Sequence, residues 1–565
     1  MEESNYWKRL NRRRISRRAL LGAGAATALG ATAAAFVGCG SGGGGGNENS
    51  PATTRPSPGS PGSPRPGGDL TWGASVAVSG LDPHIDIFGL GVVPLLYSYL
   101  YSWAPGREQV VTNNLAEAFE QPDKDHLEFI FKLRRGVNAQ PVGPAAGEEI
   151  TSEDCQASFV RRGTALTAPD KRFPNRIDHY ETPDPYTFKF FMKQPFVPAI
   201  REMANPTWAI VQKKVIDQYP SLSQVAFGSG PFSLGDFVGA ERIEFNRHPD
   251  YFLKPRPWLD TLTYIVITDN SSLQAAFRSG QHDVSGALLT KKDAEDLQKS
   301  GNFVVNKAPS LFYPVIHLKM KPPFDDIRVR EALDLALYRD EIITVLQDGE
   351  GNYNGPIQWG QTKWALPQDE LRSSLRYDPE AAKARLAEAG FPNGFSAKMK
   401  LIKLTGPSIV GDTAVLIKDQ LRRVGINIEL NEVEPGAFLS DLFSGNFQMI
   451  FFPNLPYDEP DRPLSFYHSK GVSGSGNWNN YSNADVDSLV DAQAKEFDDA
   501  QRKEIITAAQ RKILTEHGPQ ISLTSGYGYF ARWNYVHFGA DFNDPNATPP
   551  ADAGPFGADI WTDKG

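Results

Sequence analysis

The chain has 565 residues, of which 40% are hydrophobic and 22% charged, with a formal net charge of −9. An acidic balance confers solubility and tells against nucleic acid, because a phosphate-binding surface needs a basic excess. Roughly 500 residues remain after a low-complexity N-terminal stretch, too many for one ordinary core, so two or three domains are expected.

The N-terminal stretch is built as an export signal. Arginines come first, then an uncharged run from Ala19 to Val37, then Gly38-Cys39. The run is rich in Ala and Gly, which makes it a poor permanent membrane helix. Ser16 to Leu21, containing Arg17 and Arg18, resembles the twin-arginine export signal. Val37-Gly38-Cys39 resembles the bacterial lipobox, with Phe36 where leucine is usual, so Cys39 is the expected lipid-bearing residue. A simple secretory signal or an N-terminal membrane anchor is the competing reading. Residues 40–68 are mostly Gly, Pro and Ser and cannot bury enough surface to offset their ordering entropy. They are expected to form a tether with a typical span of about 30 Å. With Cys39 lipidated, only Cys155 is left, and an internal disulfide is impossible. Cys155 lies in a helical pattern near Phe159 and is expected to be a buried, inert thiol.

Beyond the tether, Asp69 to Gly73 reads as a short strand, followed by Leu81-Asp82-Pro83-His84 and the apolar run Leu95 to Leu100. Glu128 to Arg134 alternates with a period of two, as a half-buried strand does. Thr151 and Asp154 are spaced to cap a helix. Gly228-Ser229-Gly230-Pro231-Phe232 marks a tight turn in which glycine permits positive φ. In the last third, Asp325 to Leu346 predicts one helix, with Val329, Leu333, Ala336 and Leu337 on one face. Asp378-Pro379 starts another helix that stops at Gly390. Ala414, Ile417 and Leu421 form a stripe ending at Gly425, and Ile426, Ile428 and Leu430 then alternate as a strand. Helix, glycine, strand in succession is the pattern of an α/β fold. Val486 to Leu514 predicts two more helices.

Taken in order, these landmarks resemble the solute-binding proteins of ABC importers, of the large oligopeptide/dipeptide/nickel-type family. The likeness runs from about Asp69 to about Arg532 and includes Leu81-Asp82-Pro83, Phe131 to Val137, Ile150 to Asp154, Gly228 to Phe232, Arg278 to Asp283, Pro322 to Leu333, Tyr481 to Asp487 and Arg502. It implies an α/β, two-lobed periplasmic-binding-protein-like fold with an extra domain and a hinge between lobes. Residues 1–39 would be the signal and 40–68 the tether. Lobe I would combine 69–112, 226–318 and 525–565, with 113–225 as the extra domain and 319–524 as lobe II. The lobe crossings would fall near Leu318 and Thr524.

The implied function is capture of an oligopeptide-like or other oligomeric solute outside the cytoplasm, by a lipid-anchored monomer that hands it to an ABC permease with a separate ATPase. Neither enzyme chemistry nor a cofactor is implied. The segment Phe451 to Asp461 occupies the family's ligand-facing loop, and Phe452, Asn454, Tyr457, Asp458 and Glu459 are its candidate ligand residues. Peptide binders of the family carry there an aspartate that pairs with the peptide's amino terminus; here the matching position is Pro456. Asp458 or Glu459 would have to substitute, through a charge-assisted contact. Trp208, Phe312, Tyr313, Trp359, Trp364, Tyr527 and Tyr529 are candidate stacking rings, suited to a mainly apolar pocket with few polar anchors. Trp359 and Trp364, set among Gly and Gln, look least like core residues. The nine histidines show no i, i+4 pair, so no zinc or nickel cage is indicated. Two other readings share these features: a secreted carbohydrate-active enzyme, whose two carboxylates folding alone could bring together, and a ligand-sensing receptor. The hydrolase and phosphate-loop motifs G-x-S-x-G, H-E-x-x-H and G-x-x-x-x-G-K-[ST] are absent.

Overall fold

The computed structural model describes residues 63–564, apart from 87–88, 90, 104–110, 165–171, 239–240, 288, 311–312, 404–408, 455–458, 472–476 and 540–556. Arg17, Arg18 and Cys39 lie outside the described residues, as do Phe312, Pro456, Tyr457 and Asp458. Among the described residues, no helix is long and apolar enough to cross a membrane.

Three sheets organise the chain. The largest has seven strands in the spatial order Phe303–Pro309, Tyr527–Trp533, Val284–Ser285, Asp69–Ala74, Thr261–Val266, Arg242–Arg247, Phe232–Val238. Asp69–Ala74 runs parallel to both its neighbours, and the remaining pairs are antiparallel. Trp72 fills the centre of this body, stacked on Tyr264 at 5.7 Å and packed against Phe530 and Phe538.

A five-stranded sheet has the order Ile426–Val433, Phe395–Ile402, Met449–Asn454, Tyr313–Leu318, Gln520–Ser522. Its first three strands are parallel, and the parallel part grows directly from the helix–glycine–strand pattern. The helix Pro379–Glu388 starts where the Asp378 carboxylate accepts the Ala381 N–H at 3.0 Å, and Gly390 follows with φ 91°. The helix Ile409–Arg422 buries Ala414, Ile417 and Leu421, and Gly425 turns at φ 90° into the strand. In both places the positive φ selects glycine.

The third sheet, of four antiparallel strands, lies in the excursion between residues 113 and 225. The helix Ser152–Thr164 covers it, with the Asp154 carboxylate accepting the Thr151 N–H at 2.8 Å as the spacing predicts. Phe129, Phe131, Phe159, Phe188 and Phe190 form its core, with Phe129 stacked on Phe190 at 4.7 Å. Cys155 is buried in the same core, and burial raises its thiol pKa, which keeps it an unreactive apolar residue.

This excursion is fastened to the seven-stranded body. The Gln140 amide donates to the carbonyls of Leu96 at 2.8 Å and Phe232 at 2.5 Å, and Ile210 N–H donates to Ser98 O at 2.8 Å. Gly228 and Gly230 are needed here for close approach rather than for positive φ, which neither adopts. A Cβ on Gly228 would meet Leu96 O at 2.3 Å, and one on Gly230 the Leu96 carbonyl carbon at 2.5 Å.

Two other expectations differ from the structure. The single helix predicted from Asp325 to Leu346 is two, Ile327–Ala336 and Arg339–Leu346, broken at Leu337, whose ψ is 110°. The break turns the Arg339 guanidinium inward, where it donates to Ser522 O at 3.0 Å and Asp334 Oδ1 at 2.8 Å. No glycine or proline marks it, because a distant acceptor set drives it. The first crossing also falls before Tyr313 rather than near Leu318, since Tyr313–Leu318 pairs inside the five-stranded sheet on both sides. All six of its residues are buried, so it lacks the alternation that reveals a half-exposed strand.

Candidate ligand-binding site

The chain passes between the seven- and five-stranded bodies after the strand ending at Pro309, before the strand starting at Tyr313, and again between Ser525 and Tyr527. The two passages are clasped together: Ser310 N–H donates to Gly526 O at 3.0 Å. A short segment of the five-stranded body, residues 354–359, is tied to both. Gln358 Nε2 donates to Ser310 O at 2.6 Å, and Asn354 Nδ2 to Ser525 Oγ at 3.1 Å. The Trp359 indole N–H is shared between Ser525 O at 2.9 Å and Ser525 Oγ at 3.0 Å. Trp359 then meets Tyr527 edge-on, with centroids 5.4 Å apart, and Lys307 Nζ lies 4.1 Å from the Tyr527 ring centre. Trp359 and Tyr527 are both only half-buried.

Beside these rings sits a charged cluster. The Glu350 carboxylate accepts from Lys291 Nζ at 2.6 Å, Lys307 Nζ at 2.8 Å and Tyr529 OH at 3.1 Å. The lysine and tyrosine hydrogen bonds hold the Glu350 carboxyl down at about 2. Burial and the same carboxylate push the Tyr529 hydroxyl up, so it remains a donor. Tyr529 therefore braces the crossing through its hydroxyl.

Of the remaining candidate residues, Phe452 is half-buried and packs on Phe438 at 5.6 Å. Asn454 ends the strand Met449–Asn454, with its backbone in register with Tyr313. Glu459 is 6% exposed and forms an ion pair with the buried Arg502, which also holds Gln493 Oε1 at 2.9 Å. Glu459, expected to stand in for the missing aspartate, thus has its carboxylate engaged by an internal guanidinium.

Three rings are also placed elsewhere than expected. Trp364 is 4% exposed, in the core with Ile357, Leu464, Tyr467 and Ile506, and Arg502 and Lys363 lie 5.3 and 4.5 Å from its ring centre. Trp208 is buried in the phenylalanine core, 4.8 Å from Phe159 and 5.0 Å from Phe173. Tyr313 is buried, and its hydroxyl bonds Gly355 O and, at 3.0 Å, Ser522 Oγ.

The sequence reading missed Lys307, Glu350, Gln358 and Ser525. Each is an ordinary polar residue in a polar context, and the signal that unites them is pairing between segments far apart in the chain. Among the described residues, no group of three or more His, Cys, Asp or Glu is placed to hold a metal ion.

Two α/β bodies joined by a pair of clasped crossings, with half-buried rings beside the crossings, constitute a two-lobed solute-binding protein of the periplasmic type. Residues 110–477 match the family described as bacterial extracellular solute-binding proteins, family 5 Middle, and the chain belongs to that family. The glutathione-binding protein GsiB of Escherichia coli K12 is 26% identical over 362 residues, which cover 63% of this chain and 68% of that protein. Two solved structures share the fold. DppA of Helicobacter pylori, in complex with the peptide STSA, superposes with a TM-score of 0.76 at 23% identity, covering 88% of this chain and 99% of that one. AppA of Bacillus subtilis, in complex with a nonapeptide, gives 0.75 at 22% identity, covering 89% and 100%.

Proposed function

We propose that this protein captures a short peptide or peptide-like solute between its two bodies and delivers it to an ABC permease. It does so from the outer face of the cell membrane, held by a lipid on Cys39 after twin-arginine export. The observation that carries the reading is the paired crossing with Trp359 and Tyr527 beside it. Two adjacent passages allow one body to rotate against the other, and rings fixed at the pivot offer a solute a surface that both bodies share. Closure biased by contacts to both bodies needs no chemistry. Micromolar capture requires about −8 kcal/mol, within reach of a few stacked rings and buried hydrogen bonds. Relatives named for glutathione and peptides support a peptide-like solute. Pro456 gives no carboxylate for a free amino terminus, so the solute's backbone and side chains are the expected handles.

Native mass spectrometry of protein purified without denaturation tests this directly. A ladder of peptide masses, or a calorimetric titration with glutathione or a tetrapeptide giving a Kd in the micromolar range, supports the reading. A hexose-spaced adduct would replace peptide by sugar, and a bare protein inert to both probes would refute peptide capture.

A further inference from the structure

The geometry points to a latch, separate from the hinge, by which the phenylalanine-cored excursion grips the five-stranded body. Both ends of that excursion are continuous with the seven-stranded body, and Gln140 and Ile210 fasten it there. No stretch of described chain leads from it directly into the five-stranded body. Yet three unlike contacts reach that body, two on the short connection between the helices Ala484–Gln493 and Asp499–Thr515 and one on Glu459, which Arg502 links to the end of the first helix.

The first contact is a socket. Val197 N–H donates to Ala494 O at 2.8 Å, and Ala494 is buried as part of the core that includes Phe173, Phe196, Met203 and Trp208. The second is ionic. Arg201 Nε lies 3.8 Å from Glu459, a carboxylate already fixed by Arg502, and Arg502 in turn holds the Gln493 carbonyl at 3.0 Å. The third is a ring stack. The His126 imidazole lies parallel to Phe497 at 3.9 Å, although Phe497 is 39% exposed.

Contacts at the crossings survive a rotation about them, because covalent chain runs through that point. These three contacts have no such tether, and any movement that opens a gap between the bodies there must break them together. The latch therefore holds the two bodies in the arrangement in which these contacts form, independently of any solute, and its strength enters the rate at which the bodies part.

Hydrogen exchange of the full chain in detergent, read by mass spectrometry over residues 194–203, tests the latch without a ligand. The double substitution R201E/F497A is expected to speed exchange there about tenfold and to raise the radius of gyration, with exchange in the strands Glu128–Leu133 and Thr187–Met192 unchanged. Exchange within twofold of the parent, at an unchanged radius, would overturn the proposal. If the double variant loses strand protection as well, F497A alone decides. A gain of about threefold confined to residues 194–203 and the 126 turn supports the latch, and no gain overturns it.

Discussion

Replacing Glu350 by glutamine tests the brace at the crossings. Its carboxylate accepts from Lys291, Lys307 and Tyr529, all three belonging to the seven-stranded body, while Glu350 itself follows the helix Arg339–Leu346 of the other. Glutamine keeps the shape and removes the charge. The Glu350 side chain is 30% exposed, so solvent screens the ion pairs to about 0.2–1 kcal/mol each. The tyrosine hydrogen bond adds about 1 kcal/mol. E350Q is therefore expected to lose about 1–2 kcal/mol at pH 7, measured by urea unfolding. The pH dependence gives a second reading. The folded carboxyl is held at about 2 against an ordinary value of 4.5. A depressed acid contributes its stability above the unfolded value and loses it as pH falls through the folded one. The gap between the parent and E350Q should thus be full above pH 5 and shrink by roughly half by pH 3. Equal stabilities at pH 7, or a gap that stays constant down to pH 3, would refute the brace.

The other predictions separate fold from function. W364A should cost about 3–5 kcal/mol by removing a buried indole, seen as a large drop in Tm. W359A should leave Tm nearly unchanged and weaken solute capture about tenfold by calorimetry; the reverse ranking would refute the assignment of the two rings. G230A places a methyl 2.5 Å from the Leu96–Tyr97 peptide and should cost about 1–3 kcal/mol, read as a lowered urea midpoint. His84 is buried, accepts from Arg161 and donates to Ala209 O, and burial lowers its pKa from 6.5 to about 4. Between those values the unfolded chain binds a proton that the folded chain does not, so stability falls as pH drops from 6.5 to 4. H84Q should flatten that slope in a pH series of thermal melts, and an unaltered slope would remove His84 as its source.

Much of the five-stranded body was legible because its punctuation is local. Asp378, Pro379, Gly390 and Gly425 act within one helical turn of themselves, and the structure starts and ends the helices beside them. The break at Leu337 was not legible, since its cause is Arg339 reaching Ser522, almost two hundred positions further on. Tyr313–Leu318 hid for the opposite reason: a strand buried on both faces has no polar side to betray its period. Trp364 looked exposed because its sequence neighbours are polar. Its burial comes from the helix Asp499–Thr515, where Gln510 donates to the Trp364 carbonyl at 2.8 Å and Arg502 lies by the ring.

What distinguishes a ring that can receive a solute is therefore how its edge and faces are used, which sequence does not encode. Trp364 has two cations by its ring and a full apolar shell, and Trp208 is enclosed by Phe159, Phe173 and the Arg162 guanidinium. Neither has surface to offer without disrupting its core. Trp359 is the contrary case. Its one polar atom is bound to Ser525, which fixes the ring without covering it, and the ring stays half-buried beside the point where the two bodies meet. A ring held by its edge has already lost its rotamer freedom, so a solute that stacks on it bears little of that entropic cost. Tyr527 lies beside it, edge-on at 5.4 Å, and Lys307, held by the Glu350 carboxylate, sits 4.1 Å from the Tyr527 ring centre.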